Sequence, residues 1–427
     1  MLDQSWMTGA IHGTKARMVK LHPELAANRG LLGAAALGLT VGMLPGLFYS
    51  MGVFMPAWEA EFGWTRGDMS FALTLATVSM FLVGTFAGRL GDRFGAAHVG
   101  PLSLFAYGAI LALLPVVISD VRHLWAGYVV LAIVGVPSSA IIMIRPITAA
   151  FDARRGIAMG VALTGAGIAG FWVPQFVGYL IEARGWRTAM MALGALPCIA
   201  APFVWLGFRG AGEAASRQKV IEHGIEFRAA LRMRQFWILS LMAIGMSLGV
   251  GGLLVHFVPL LTDLGANRVR AAEIASLLGL ASVCGRIGVG MMLDRFPTTL
   301  VTVATLLLAA SGALLLYTYG LAYAPLAVML IGLAAGAEVD LIAYLCSRHF
   351  GVRSYGAIYG WQYSVFVLGY GFSPFFVGLM RDSSGNYDLA LLGSAIVICT
   401  AGILAPFMRA PPERLRALEP LRSNKAC

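Results

Sequence analysis

Lysine is almost absent from this sequence: Lys15, Lys20, Lys219 and Lys425 are all there are among 427 residues. None of them follows a glycine, so the G-K-[ST] core of a nucleotide phosphate loop is missing, which argues against drive by ATP. Charge of either sign is scarce, at 12% of residues against about 25% in ordinary soluble domains. The cysteines Cys198, Cys284, Cys346, Cys399 and Cys427 show no paired spacing, which speaks against a disulfide framework or a zinc site and leaves packing as their role. No two histidines stand at metal-ligand spacing and no soluble domain is appended, so a membrane enzyme or sensor is disfavoured and no cofactor is implied. No stretch has the alternation of an outer-membrane barrel strand.

What fills the chain instead is hydrocarbon. It is 59% hydrophobic with a mean hydropathy of +0.78. About 20 apolar residues cross a bilayer core of roughly 30 Å. Twelve runs reach that length: 31–57, 69–88, 96–118, 124–150, 156–181, 188–208, 235–262, 271–293, 298–317, 322–347, 355–380 and 388–408. The spacing therefore predicts an all-α integral membrane protein with twelve transmembrane helices. Residues 1–30 carry Lys15, Arg17, Lys20 and Arg29 and precede the first run, which is too long for the core of a signal peptide and shows no clear cleavage site. It reads as a retained first helix.

Orientation follows from arginine and lysine. With the N-terminus inside, 22 of them fall in cytoplasmic segments and seven in outer loops, while Arg145 and Arg286 lie within spans. That bias predicts both termini in the cytoplasm of a bacterial-type inner (plasma) membrane. The net charge of +10 then reports topology. Scattered over short loops, it argues against a nucleic-acid partner.

The longest internal polar stretch, 209–234, divides the spans into two sets of six, and the sets repeat. Gly88, Asp92, Arg93 and Phe94 recur as Gly290, Asp294, Arg295 and Phe296. Pro174, Phe176, Val177 and Gly178 recur as Pro374, Phe376, Val377 and Gly378; Gly156, Gly160 and Gly185 recur as Gly356, Gly360 and Gly385. Several matches near one offset indicate a duplication. The domains expected are a cytoplasmic segment 1–30, a six-helix half 31–208, a linker 209–234, a second half 235–408 and a cytoplasmic tail 409–427. Paired halves of this kind bind their substrate between them, near the bilayer midplane.

GRLGDRFG (88–95) resembles the loop signature of the major facilitator superfamily. YSMGVFMPAWEAEFGW (49–64), RRGIAMGVALTGAGIAG (154–170), GWR (185–187) and FGVRSYGAIYG (350–360) are similar to its monocarboxylate and oxalate-formate transporter branch. The resemblance covers all twelve spans. It implies the major facilitator fold and places Asp92, Arg93, Asp294 and Arg295 at an inward gate of charge pairs, where the plain reading is helix-end charges facing water.

Two other motifs lose their usual meaning inside spans. GAGIAG (165–170) matches a dinucleotide fingerprint but lies in span 5, where close helix packing through small residues is the better reading. GMSLG (245–249) matches a nucleophile elbow but has no strand–turn–helix context.

Charged residues within spans carry the functional reading, because they are expensive there. Arg145 either snorkels to water or touches substrate. Arg286 lies about two turns from the cytoplasmic end of span 8 and falls where the monocarboxylate branch has an arginine that binds the substrate carboxylate. Guanidinium grips a carboxylate bidentately and lysine does not. Glu338 and Asp340 sit at similar depth in span 10, about 200° apart on the helix. Asp340 shares a stripe with Gly332, Gly336 and Tyr344. One acid is expected to face Arg286 in the empty carrier, to be displaced by an anionic substrate and to take up a proton; the sequence does not choose between them, and a purely structural salt bridge is the alternative.

The pattern departs from animal monocarboxylate carriers, which by resemblance have an aspartate before the span-8 arginine and a lysine in span 1. Those positions here are Ser282 and Tyr49. Span 11 also lacks the lysine of an oxalate exchanger, and one Arg286 suits one carboxylate better than two. Tyr49, Tyr344, Trp361 and Tyr363 read as an aromatic cavity lining or as interfacial anchors. His256, in the outer third of span 7, reads as a substrate contact or a hydrogen-bonded structural histidine. The function expected is proton-coupled transport of a small organic anion, a monocarboxylate, by alternating access. An aromatic-acid uniporter or an anion exchanger is the rival. The partners implied are the anion, a proton and the lipid bilayer; a single chain is sufficient for the site, and the oligomeric state stays open.

Overall fold

The computed structural model describes residues 27–151, 155–209, 224–293, 295–351 and 353–408, and these are helical throughout apart from turns and one isolated bridge, Gly224 to Gly351. Ten helical runs are long and apolar enough to cross a membrane. Two of them, Ala158–Phe208 with 51 residues and Thr298–Phe350 with 53, are about 75–80 Å long at 1.5 Å per residue, more than twice a bilayer core. Each therefore makes two crossings. The first breaks at Gly185, whose φ of 81° and ψ of 164° lie outside the helical region; the second breaks at the turn Gly320–Tyr323. Twelve crossings result, as the hydropathy predicts.

We number them α1 (Arg29–Phe62, interrupted at Val41 and Gly42), α2 (Arg66–Phe94), α3 (Ala96–Val117), α4 (121–150), α5 (155–184), α6 (186–208), α7 (Arg234–Asp263), α8 (Arg268–Leu293), α9 (Thr298–Tyr319), α10 (Ala324–Phe350), α11 (Tyr355–Ser384) and α12 (Asp388–Leu404). α4 is interrupted by a 3-10 turn at Val136–Ser138, where Pro137 has no N–H to give. The sequence repeat has a backbone counterpart. Gly185 and Gly385 both have positive φ, 81° and 78°, and both end a long crossing that carries a proline, Pro174 in α5 and Pro374 in α11. Of the expected segments 1–30, 209–234 and 409–427, residues 1–26, 210–223 and 409–427 lie outside the described residues.

Large apolar side chains such as Phe81, Phe86, Leu102, Val116, Ile199 and Ile403 stand exposed on the outside, the surface a bilayer covers. Helices α1–α6 and α7–α12 form the two halves of the fold, and close helix contacts join them. Gly52 of α1 lies directly against the Val255 carbonyl of α7. Thr74 Oγ1 of α2 donates to the Gly371 carbonyl of α11 at 2.7 Å. Gly170 of α5 abuts Gly279 of α8, and Gln175 Nε2 donates to Ser276 Oγ at 3.1 Å. The GAGIAG stretch thus packs helices: Gly165 faces the Ala36 carbonyl of α1, and Gly167 faces Val283 of α8. GMSLG lies within α7, where Ser247 Oγ donates to the Ile244 carbonyl.

Candidate functional site

A cavity of about 270 Å³ lies between the halves, lined by Tyr49 of α1, Thr164 and Gly167 of α5, Leu254 of α7, Ser282 and Arg286 of α8, Gly336 of α10 and Tyr370 of α11. Arg286 of its wall pairs with Asp340 of α10, and helix register sets that pair. Gly332 faces the Leu278 carbonyl and Gly336 the Ser282 carbonyl, with no room for a Cβ at either glycine. One turn further along the same parallel contact, Arg286 Nε donates to Asp340 Oδ2 at 3.0 Å. Three successive turns thus meet at a constant offset of 54 residues. The small side chains bring the helices close enough for the fourth residue of each to pair. Arg286 Nη1 also donates to the Leu163 carbonyl of α5 at 3.3 Å, so the guanidinium touches both halves. The pair is partly open, with side chains 26% and 35% exposed.

Glu338 is placed differently. It is fully buried, and neither carboxylate oxygen has a hydrogen-bond partner among the described residues. It lies off the stripe that faces α8.

The remaining expected residues divide. Tyr49 lines the cavity. Tyr363 stands in an aromatic ladder on α11 that runs Tyr355, Tyr359, Tyr363, Phe366 and Tyr370, with successive ring centroids 5.1–6.3 Å apart; only Tyr370 of that ladder reaches the cavity wall. Tyr344 is on the Asp340 stripe, below the pair, and donates to the Leu293 carbonyl at 3.3 Å. Trp361 is turned outward, 40% exposed, against Phe236 and Trp237. It takes no part in the cavity because α11 presents its other face there. Arg145 donates through Nε to the Ile141 carbonyl and reaches towards Gly91 of α2, away from the cavity.

His256 is also turned away from the cavity. It is fully buried in a polar layer at the Arg66 end of the bundle. Arg66, 3% exposed, gives Asp263 two hydrogen bonds of 2.7 Å and Tyr387 Oη one of 2.8 Å, and Nε donates to Glu59 Oε2 at 3.1 Å. Asp382 of α11 accepts the backbone N–H of Arg66 at 3.3 Å and of Gly67 at 2.8 Å, capping the N-terminus of α2 from the opposite half, where the helix dipole favours a negative charge. Arg381 Nε donates to Asp263 Oδ2 at 3.3 Å. Among the described residues, the hydrogen bonds and ion pairs that join the halves lie at the cavity or on this Arg66 side. In the sequence Arg66 and Arg381 belong to the seven outer-loop charges. Their signal was legible as density: Glu59, Glu61, Arg66, Asp68, Asp263, Arg381 and Asp382 cluster at loop ends.

At the other end, Arg93 and Arg295 are exposed, and the Arg93 guanidinium sits over its neighbour Phe94, 5.3 Å from the ring centroid. Asp294 lies outside the described residues, as does the side chain of Asp92.

Known proteins are similar to this chain in sequence and in fold. Residues 31–374 match the family described as the Major Facilitator Superfamily. The chain is similar to Monocarboxylate transporter 11 of Mus musculus, 26% identical over 398 residues, covering 88% of this chain and 85% of that protein. It is 24% identical over 368 residues to Monocarboxylate transporter 13 of Bos taurus, covering 84% of each. Its fold matches the crystal structure of a bacterial homolog of the human lysosomal transporter Spinster, solved inward-facing and occupied, with a TM-score of 0.70, 16% identity, and coverage of 90% of this chain and 96% of that one. The chain belongs to the major facilitator superfamily and is a multi-pass membrane transporter of its monocarboxylate transporter-like branch.

Proposed function

We propose that this transporter carries a small organic anion with a single carboxylate across the inner membrane by alternating access, together with a proton. The observation that carries the reading is the Arg286–Asp340 pair on the cavity between the halves. Asp340 holds the guanidinium while the site is empty. An incoming carboxylate competes for the same donors, and charge-assisted bonds of this kind are among the strongest available to a side chain. Asp340, displaced, is left as a carboxylate without its cation partner and takes up a proton. When substrate leaves, the proton leaves and the pair re-forms. Glu338 is the second acid of the system. An ionised carboxylate without a donor costs several kcal/mol in such a place, so Glu338 carries a proton in this conformation.

The arginine and lysine bias supports the orientation: the Arg93 face is cytoplasmic, both termini lie on it, and the two halves meet through the segment 209–234. The sealed Arg66 face then looks outward, and the site opens inward. Asp92, Arg93, Asp294 and Arg295 form the opposite gate; their repetition in both halves supports the assignment.

A second reading has its own support. Tyr49 and Tyr370 line the cavity beside Arg286, which suits an anion with a flat apolar body and allows uniport or exchange of aromatic acids without a proton.

Uptake of labelled acids by proteoliposomes, with and without an imposed pH gradient, separates these readings. Accumulation of a monocarboxylate only with the gradient is the expected result. Uptake of aromatic acids that ignores the gradient would select the second reading, and turnover that requires ATP would remove both.

A further inference from the structure

We infer that His256 is a proton-binding site that releases the Arg66 seal. The inference rests on the alternating-access reading but not on the identity of the substrate.

The hydrogen bonds around the ring are those of a neutral imidazole. Nε2 lies 2.9 Å from the Pro374 carbonyl, which can only accept, and 3.0 Å from Ser70 Oγ. Nε2 therefore carries the hydrogen, and Nδ1 accepts from Tyr387 Oη at 2.8 Å. The Tyr387 oxygen in turn accepts from Arg66 Nη1. The chain Arg66 to Tyr387 to His256 to Pro374 thus runs in one direction and uses each group once. It also ties together α2, α7, α11 and the start of α12, with His256 hydrogen-bonded to the N-terminal half through Ser70.

A second ring proton has nowhere to go in this layer. On Nδ1 it would meet the Tyr387 hydroxyl, which already takes a hydrogen from a cation. The nearby carboxylates are committed: Asp263 to Arg66 and Arg381, Glu59 to Arg66 with Arg381 3.8 Å away, and Asp382 to the N-terminal amides of α2. The ring is fully buried, so water does not solvate the charge. Separating α2 from α7 and α11 removes all of these objections, because it exposes the ring to the outer solution. The proton therefore binds the open form. The seal is favoured above the ordinary imidazole value of about 6.5 and loses ground as pH falls through it. One proton linked to opening shifts the closed-to-open ratio by up to about tenfold per pH unit.

The test uses the full-length, cysteine-depleted protein in lipid without substrate. Spin labels at Arg122→Cys and Arg270→Cys, both exposed at the Arg66 end on opposite halves, report their separation between about pH 8 and about pH 5. The parent is expected to shift towards longer distances as pH falls, by up to about tenfold in population per pH unit, and His256→Gln is expected to stay closed across the range. Tyr387→Phe keeps the imidazole but removes the hydroxyl between it and Arg66, so its opening should begin at higher pH. A parent with no pH response, a His256→Gln protein with the parent's response, or a Tyr387→Phe protein with an unmoved midpoint overturns the inference. Absence of anion uptake with the distance response intact counts against the substrate reading alone.

Discussion

Asp340 accepts a hydrogen bond from Arg286 Nε at 3.0 Å, on a stripe of α10 that Glu338, two residues earlier, does not share. The geometry gives Arg286 a counter-ion that occupies only part of its fork, at Nε, while Nη1 donates to the Leu163 carbonyl. Arg286→Lys keeps the charge and loses the planar fork. One lost charge-assisted hydrogen bond is worth about 1.5–3 kcal/mol, so uptake at low substrate concentration should fall by about tenfold to a hundredfold while the protein still inserts and folds. Near-parental uptake by this variant would take Arg286 out of the binding site.

The two acids of α10 should respond differently to neutralisation. Asp340→Asn leaves Arg286 without its partner in a cavity that water reaches, so the cost is smaller than the roughly 3–5 kcal/mol of breaking a fully buried pair. The variant should fold, exchange labelled substrate and fail to accumulate it against a gradient. Glu338→Gln puts a neutral amide of similar shape in place of the acid and should retain exchange. If Glu338 ionises at any stage of the cycle, accumulation is lost there as well. Counterflow and gradient-driven uptake, measured on each variant, separate the cases. Parental accumulation by both variants would contradict proton coupling through α10.

The twelve crossings were legible because hydropathy acts locally: each span must satisfy its own backbone and face lipid, and that writes itself into composition. The depth match between Arg286 and the span-10 acids was legible for the same reason, since buried charge demands a partner. The choice of Asp340 over Glu338 was not, because it depends on the rotation of α10. That rotation is set by Gly332 and Gly336 seating on the carbonyls of Leu278 and Ser282, a contact between helices more than fifty residues apart. The two readings of His256 could not be told apart in the sequence for a related reason. A histidine in the outer third of a span looks like a cavity residue until the two halves are docked, and the docking brings Ser70, Pro374 and Tyr387 around it.

That seating makes Gly336 a sensitive position. A valine there collides with the backbone of Ser282 and forces α10 off α8, one turn away from the Arg286–Asp340 bond. Overpacking of this kind costs about 1–3 kcal/mol. Gly336→Val should lower the melting temperature and reduce uptake, whereas Gly288→Ala on α8, where nothing lies within 4 Å, should leave both near the parental level. Equal behaviour of the two variants would show that close approach of α8 and α10 is not required.

Asp263 supplies both oxygens to a guanidinium that is 3% exposed. Asp263→Asn removes the carboxylate that takes both ends of the Arg66 fork and leaves the guanidinium with Glu59, so the cost is below the roughly 3–5 kcal/mol of breaking a fully buried pair. The carrier has an escape that a rigid protein lacks: it can open the Arg66 face and hydrate the arginine. The penalty should therefore appear as a shift in conformational balance before it appears as unfolding. A cysteine placed at Thr74, which is buried at the α2–α11 contact, reports that shift through its reaction with a membrane-impermeant thiol reagent in a cysteine-depleted background. Closed carriers protect it and open ones expose it. Asp263→Asn should raise the labelling rate at least about tenfold, since a bias of 1.4 kcal/mol already changes a population ratio by ten, and it should do so without substrate. Unchanged labelling together with a lowered melting temperature would make the Arg66–Asp263 pair a stabilising contact with no part in the transport cycle.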